Sequence, residues 1–202
     1  MGRTLARIAA LSLLALVAAQ PVPAAVALQG PEPSWLDQAS PANWNAPGMA
    51  VPIAPPAFGP VEPRFRERNR PPETPEDATL TAAGWDLIAP YQGGWGLKII
   101  TAASDYDGMG RPNEYQTFVF VDGLFAGTLS PRLMDSRTDS ALIRAEFSGP
   151  TTISAQFVRY AATDPLCCPF ARTTVDYRIE RGEAGSIVAP NSTFTQPAGD
   201  DR

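Results

Sequence analysis

Apolar and polar residues alternate along the second half of the chain. In residues 141–147, Ile143, Ala145 and Phe147 fall on one face, and Arg144 and Glu146 on the other. In 151–160, Ile153, Ala155 and Phe157 oppose Ser154 and Gln156. In 173–181, Val175, Tyr177 and Ile179 alternate with Thr174, Asp176, Arg178 and Glu180. A period of two over such lengths predicts half-buried antiparallel strands. Residues 115–121 read Tyr-Gln-Thr-Phe-Val-Phe-Val, apolar on both faces at the end, as a central strand should be. Asp122-Gly123 follows at once, a strong hairpin signal, and 124–129 is the returning strand. Shorter strands are predicted at 85–88, 96–103 and 186–189. Thr74-Pro75-Glu76-Asp77 reads as an N-cap, a proline in the first turn and two acids, predicting a short helix ended by Gly84.

The expectation is a mainly β fold: a single antiparallel β-sheet domain over 74–190, meander or sandwich-like, with at most one short N-terminal helix. The flanking segments are patterned differently. Arg3 and Arg7, the apolar run from Ile8 to Ala19, and Ala25-Val26-Ala27 have the order of a secretory signal peptide, 1–27, cleaved after Ala27. The apolar run is too short to span a bilayer, which takes about 20 residues. Twelve prolines lie between Leu28 and Pro75, and the apolar residues there show no period. Proline fixes φ and removes a donor. Residues 28–73 therefore read as a proline-rich disordered linker, and 191–202 as a disordered polar tail.

Composition narrows the chemistry. The net charge is −5, with no histidine, and Lys98 is the single lysine. An acidic chain of this kind is a poor match for nucleic acid. Without histidine, a Ser-His-Asp triad, a Cys-His pair and a histidine zinc site are excluded.

The only cysteines, Cys167 and Cys168, are adjacent, in Asp164-Pro165-Leu166-Cys167-Cys168-Pro169. The pair can close on itself as a vicinal disulfide, stay as buried thiols, act as a redox pair, hold a soft metal, or bridge to another molecule. Pro165 and Pro169 stiffen the loop and favour a structural ring. Two further stretches carry residues of ligand-binding type. Asp105, Asp107, Gly108 and Glu114 have the spacing of the latter part of a calcium loop, but Ala103 sits at its first ligand position and Pro112 blocks the exiting helix, so a solvated turn is expected. The loop 130–140, with Arg132 and Arg137, reads as a surface turn. In the linker, Trp35 and Trp44 are candidate contacts to a partner or to the domain. Arg64, Arg66, Arg68 and Arg70 form a basic cluster, a candidate contact to an anionic surface.

The apolar strand and hairpin from Phe118 to Pro131, the strand pair ending in Arg159-Tyr160, the Asp-Pro-Leu-Cys-Cys-Pro string, and Thr174-Val-Asp-Tyr-Arg178 together resemble the LppP/LprE lipoprotein family, in its branch with a double cysteine. The resemblance implies an envelope-exported domain and supplies no catalytic residue. The chain departs from the family's name in having no lipid-acceptor cysteine. The expected function is a non-catalytic envelope domain, periplasmic or extracellular, that binds a partner protein or surface component, without a cofactor and with no membrane span after signal cleavage. The alternative is a thiol-redox or soft-metal-handling protein using the cysteine pair.

Overall fold

The computed structural model describes residues 33–199. The signal peptide expected over 1–27 lies outside the described residues.

Two antiparallel sheets make the domain, the sandwich-like form of the mainly β fold expected. The first contains β1 (Asp86–Leu87), β2 (Gln92–Gly94), β3 (Leu97–Tyr106), β4 (Pro112–Val121) and β5 (Leu124–Thr128). Its order is β1-β3-β4-β5, with β2 also on β3. The second is the meander β6 (Leu142–Gly149), β7 (Thr152–Arg159), β8 (Ala171–Gly182) and β9 (Gly185–Pro197). The Asp122-Gly123 turn closes the β4–β5 hairpin, with Val121 opposite Leu124. Both turn residues have positive φ, 50° and 83°, which asparagine-like residues and glycine tolerate best.

The alternation read from sequence sets the layers. Leu97, Ile99, Val119 and Val121 from the first sheet meet Ile153, Ala155, Phe157, Val175 and Tyr177 from the second in one core. The residues between them on β3 and β4, Ile100, Ala102, Phe118 and Phe120, point the other way and join a second cluster with Leu80, Trp85 and Leu87. Both faces of the first sheet are thus covered, which accounts for the unbroken apolar run at the end of β4. The second sheet has one wet face, hence the alternation along β7 and β8.

The helix expected after Thr74 is present as α2 (Pro75–Ala82), following α1 (Pro63–Arg66). The Thr74 hydroxyl accepts from the Asp77 N–H at 3.3 Å, and the Asp77 carboxylate accepts from the Thr74 N–H at 3.1 Å, a capping box. Leu80 fixes the helix against the second cluster. A 3-10 turn (Trp35–Asp37) and α1 go beyond the single helix expected.

The largest correction concerns the flanks. Over its described part, 33–73, the expected disordered linker is a strap lying on the sandwich. Leu36 and Phe65 are buried, and Trp35 and Trp44 pack against the main core. Prolines prevent a ladder, but they do not prevent burial of single apolar side chains. The strap instead engages its backbone locally: the Ala54 N–H donates to Ala83 O at 2.9 Å, and the Arg70 N–H to Leu87 O at 3.0 Å. The expected disordered tail is also corrected, because β9 continues through it to Pro197. Its polar residues pair by hydrogen bonding rather than by apolar burial. The Thr173 and Thr195 hydroxyls meet at 2.7 Å, and the Thr193 N–H donates to Ala39 O at 3.0 Å.

Candidate functional site

The cysteine pair lies on the loop between β7 and β8. Cys167 and Cys168 are joined to each other by a disulfide, with Cα atoms 3.8 Å apart. Both residues are exposed, as are Leu166 (60%) and Phe170 (50%). Asp164 clasps the loop at its base. Its Oδ2 accepts from the Ala161 N–H at 2.8 Å and the Phe170 N–H at 3.1 Å, and its own N–H donates to Ala161 O at 3.0 Å. Pro165 O accepts from the Cys168 N–H at 2.9 Å, and the Tyr160 hydroxyl donates to Leu166 O at 2.9 Å. Pro169 is half-buried beside the clasp.

The loop rises from an ionic cluster centred on buried Arg159. The Arg159 guanidinium donates from Nε to Asp139 at 2.9 Å and from Nη2 to Asp37 at 2.7 Å. The Tyr160 N–H shares the same Asp139 oxygen at 3.0 Å. Burial alone would lower the Arg159 pKa, but the two carboxylates hold it above the ordinary value. Through Asp37 this cluster ties the strap to the end of β7, an interior strand of the second sheet.

Of the other candidate contacts, Trp35, Trp44 and Arg70 are drawn into the molecule, while Arg64, Arg66 and Arg68 stay exposed. Trp35 stands edge-on to Trp44 and to Phe157, with both ring centroids 5.2 Å away. The Trp44 indole donates to Thr128 O at 3.1 Å. The basic cluster is dispersed among carboxylates: Arg64 pairs with Glu62 at 2.7 Å, Arg66 with Asp86 at 3.2 Å, and Arg70 with Asp77. Arg68 is exposed. Burial would push the Asp77 carboxyl up, but Arg70 and the N–H groups of Glu73 and Thr74 hold it below its usual range.

Asp105 and Asp107 do not converge with Glu114 on a cation site. Asp107 folds a turn instead, accepting from the N–H groups of Met109 at 2.8 Å and Arg111 at 2.9 Å. Among the described residues there is no group of three or more potential ligands placed to hold a metal. The loop 130–140 is more than a surface turn at its centre, where buried Met134 bridges to Tyr115. Arg132 and Arg137 are exposed, and Arg132 is part of the lining of a groove between the strap and β5.

Two concave sites appear that no local motif announces. A cleft of about 340 Å³ opens between Ile88, Gln92 and Thr101 of the first sheet's edge and Leu142, Ile143 and Arg144 of β6. A groove of about 360 Å³ lies between the strap and the β5 side of the first sheet. Its walls are Trp44, Met49, Ile53, Trp85, Phe125 and Leu133. Ile53 (83% exposed), Met49 and Leu133 form its open lip.

The polar groups around the groove are engaged behind its walls. Asn45 donates to Thr128 O at 3.0 Å and Val188 O at 2.8 Å, and accepts from the Thr128 N–H at 2.9 Å. Gln116 donates to Ser130 O at 3.0 Å and accepts from the Thr117 N–H at 2.8 Å. The Trp85 indole donates to Pro52 O at 2.8 Å. Gly127, at φ 130°, is what lets Asn45 in, because a Cβ there would overlap the Asn45 amide. The groove escaped the sequence reading because one wall is the strap, whose prolines signalled disorder.

No helix among the described residues is long and apolar enough to cross a membrane. No curated protein and no solved structure matches the chain significantly. A family model does match, over residues 90–182, a span running from the start of β2 to the end of β8 with the disulfide loop inside it. Over this β region the chain is similar to the LppP/LprE lipoprotein family, as the hairpin and the double-cysteine string had suggested.

Proposed function

We propose that the chain is an exported envelope domain that works by binding, and that it takes an apolar segment of a partner or surface component into the groove between the strap and β5. The observation that carries this reading is the groove's lining. It combines a volume of about 360 Å³ with aromatic and aliphatic walls, and Asn45, Gln116 and the Trp85 indole are already hydrogen-bonded, with exposed Arg132 as the one charged side chain in the lining. Small-ligand sites have this size and character. A site with few free donors or acceptors favours apolar occupants, because a polar one would lose its hydration without compensation. The family match supports an envelope location. The acidic balance with one lysine speaks against a nucleic-acid partner.

The test uses the neutral dye N-phenyl-1-naphthylamine, whose emission rises in apolar surroundings. The purified domain is expected to bind it saturably at one site. Ile53→Glu combined with Leu133→Glu places charges on the lip, at residues exposed enough to leave the fold intact. That variant is expected to lose at least about tenfold in dye affinity with an unchanged Tm. An Ile143→Glu control, at the cleft on β6, is expected to bind as the parent does. Dye binding that is unsaturable, or indifferent to the lip charges, would sink the reading.

A further inference from the structure

The disulfide does nothing for the fold that the rest of its loop does not already do. A disulfide stabilises chiefly by closing a long loop in the unfolded chain. This one spans a single peptide bond. The loop's shape is set by other bonds: the Asp164 clasp, Tyr160 to Leu166, Cys168 N–H to Pro165 O, and the Ala198 N–H to Phe170 O at 3.0 Å. None of these uses a sulfur, and both loop ends continue into paired strands. Both cysteines stand in solvent. The ring can therefore open and close while the domain stays folded.

From this geometry we propose that Cys167–Cys168 is a reversible thiol-exchange site whose reaction partner is a dithiol. A thiolate of the dithiol attacks one Sγ, and the Cys167–Cys168 bond breaks. A mixed disulfide forms, and the other cysteine leaves as a thiolate that takes a proton from water. The donor's second thiol, as thiolate, then attacks its own sulfur in the mixed disulfide. The donor departs as a disulfide, and the second cysteine is released and protonated. Two electrons and two protons have moved from the dithiol to the pair.

Adjacency selects for a dithiol over a monothiol. After the first attack, the freed cysteine sits one residue from the mixed disulfide. It re-closes the ring and expels a monothiol, because an intramolecular thiol has a high effective concentration. A dithiol escapes this reversal by forming its own disulfide. Attack at exposed sulfur needs no prior unfolding. This proposal is independent of the groove and stands or falls separately from it.

The experiment uses the folded wild-type protein without denaturant. Dithiothreitol, or glutathione at equal total thiol, is added, and samples are quenched with iodoacetamide and weighed by mass spectrometry. Tryptophan fluorescence follows the fold in parallel. Dithiothreitol is expected to yield two carbamidomethyl groups per chain, at a rate proportional to its concentration, with unchanged fluorescence. Glutathione is expected to give at least about tenfold less. Removing dithiothreitol and adding oxidised glutathione should restore the starting mass.

The rate should also stay flat in urea up to the foot of the unfolding transition. A rate that climbs with urea below that point would show that reduction proceeds through unfolding, and would overturn the proposal. So would resistance to excess dithiothreitol, or equal reduction by glutathione. A Cys167→Ser/Cys168→Ser variant, expected to keep the parental fold, supplies the unlabelled baseline.

Discussion

Asp77 shows how a single side chain ties strap to helix. It closes the α2 capping box, and it takes two hydrogen bonds from Arg70, at the end of the strap, at 2.8 and 2.5 Å. Its side chain is fully buried and that of Arg70 is 13% exposed. Arg70→Ala strands a buried carboxylate, and urea denaturation is expected to show a loss of about 3 kcal/mol. The same pair sets an acid limit. Burial opposes ionisation of Asp77, but Arg70 and the cap donors outweigh it, so the folded pKa lies below the unfolded one. The resulting stability is fully present above the unfolded value of about 4 and is lost as pH falls through the depressed folded value. Asp77→Asn should start less stable at neutral pH and fall less between about pH 4 and 2. Parallel curves for variant and parent would remove Asp77 from this role.

Beyond the 3-10 turn and the single turn of α1, the strap behaves as an element without being a helix or a strand. Its backbone is too interrupted to propagate either. It is held by side chains reaching into places the two sheets leave open. Trp35 and Trp44 stack edge to face on Phe157 and Tyr177. Asn45 links β5 to β9 through three hydrogen bonds. Trp44→Ala removes an aromatic contact and an indole donor together. Equilibrium unfolding is expected to register about 3 kcal/mol, whereas a free tether would register none. The composition was legible here and its consequence was not. Proline density says that no regular element forms, but it is silent on whether isolated tryptophans find a surface.

The whole molecule is larger than its strand pattern suggested. The compact unit comprises residues 33–199 as described, rather than 74–190. Thermolysin, which cuts beside apolar residues in mobile chain, separates the two views. Cleavage is expected early at Ile53, which is 83% exposed, and only with global unfolding at Leu36 and Phe65, which are buried. Rapid cutting at Leu36 and Phe65 would restore the flexible-linker picture. The candidate sites divide in the same way. The cysteine loop was legible because Asp-Pro-Leu-Cys-Cys-Pro is a local string. The groove was not, since Ile53 and Leu133 are far apart in the chain and meet only across the folded strap.

The sequence by itself determined most of the strands, though not β2 or the bulge that turns Ile143 outward on β6, together with the Asp122-Gly123 turn, the capped start of α2 and the family likeness, because each is a local matter of period, φ preference or string. It also set which strands would alternate and which would be apolar throughout. Only the tertiary structure decided that the strands form two sheets and that β9 absorbs the polar tail. It likewise decided that Trp35 and Trp44 face inward and that Arg64, Arg66 and Arg70 each meet a carboxylate. These outcomes depend on which surfaces remain open once the sheets have packed. That is a property of contacts between distant residues, and no local periodicity encodes it.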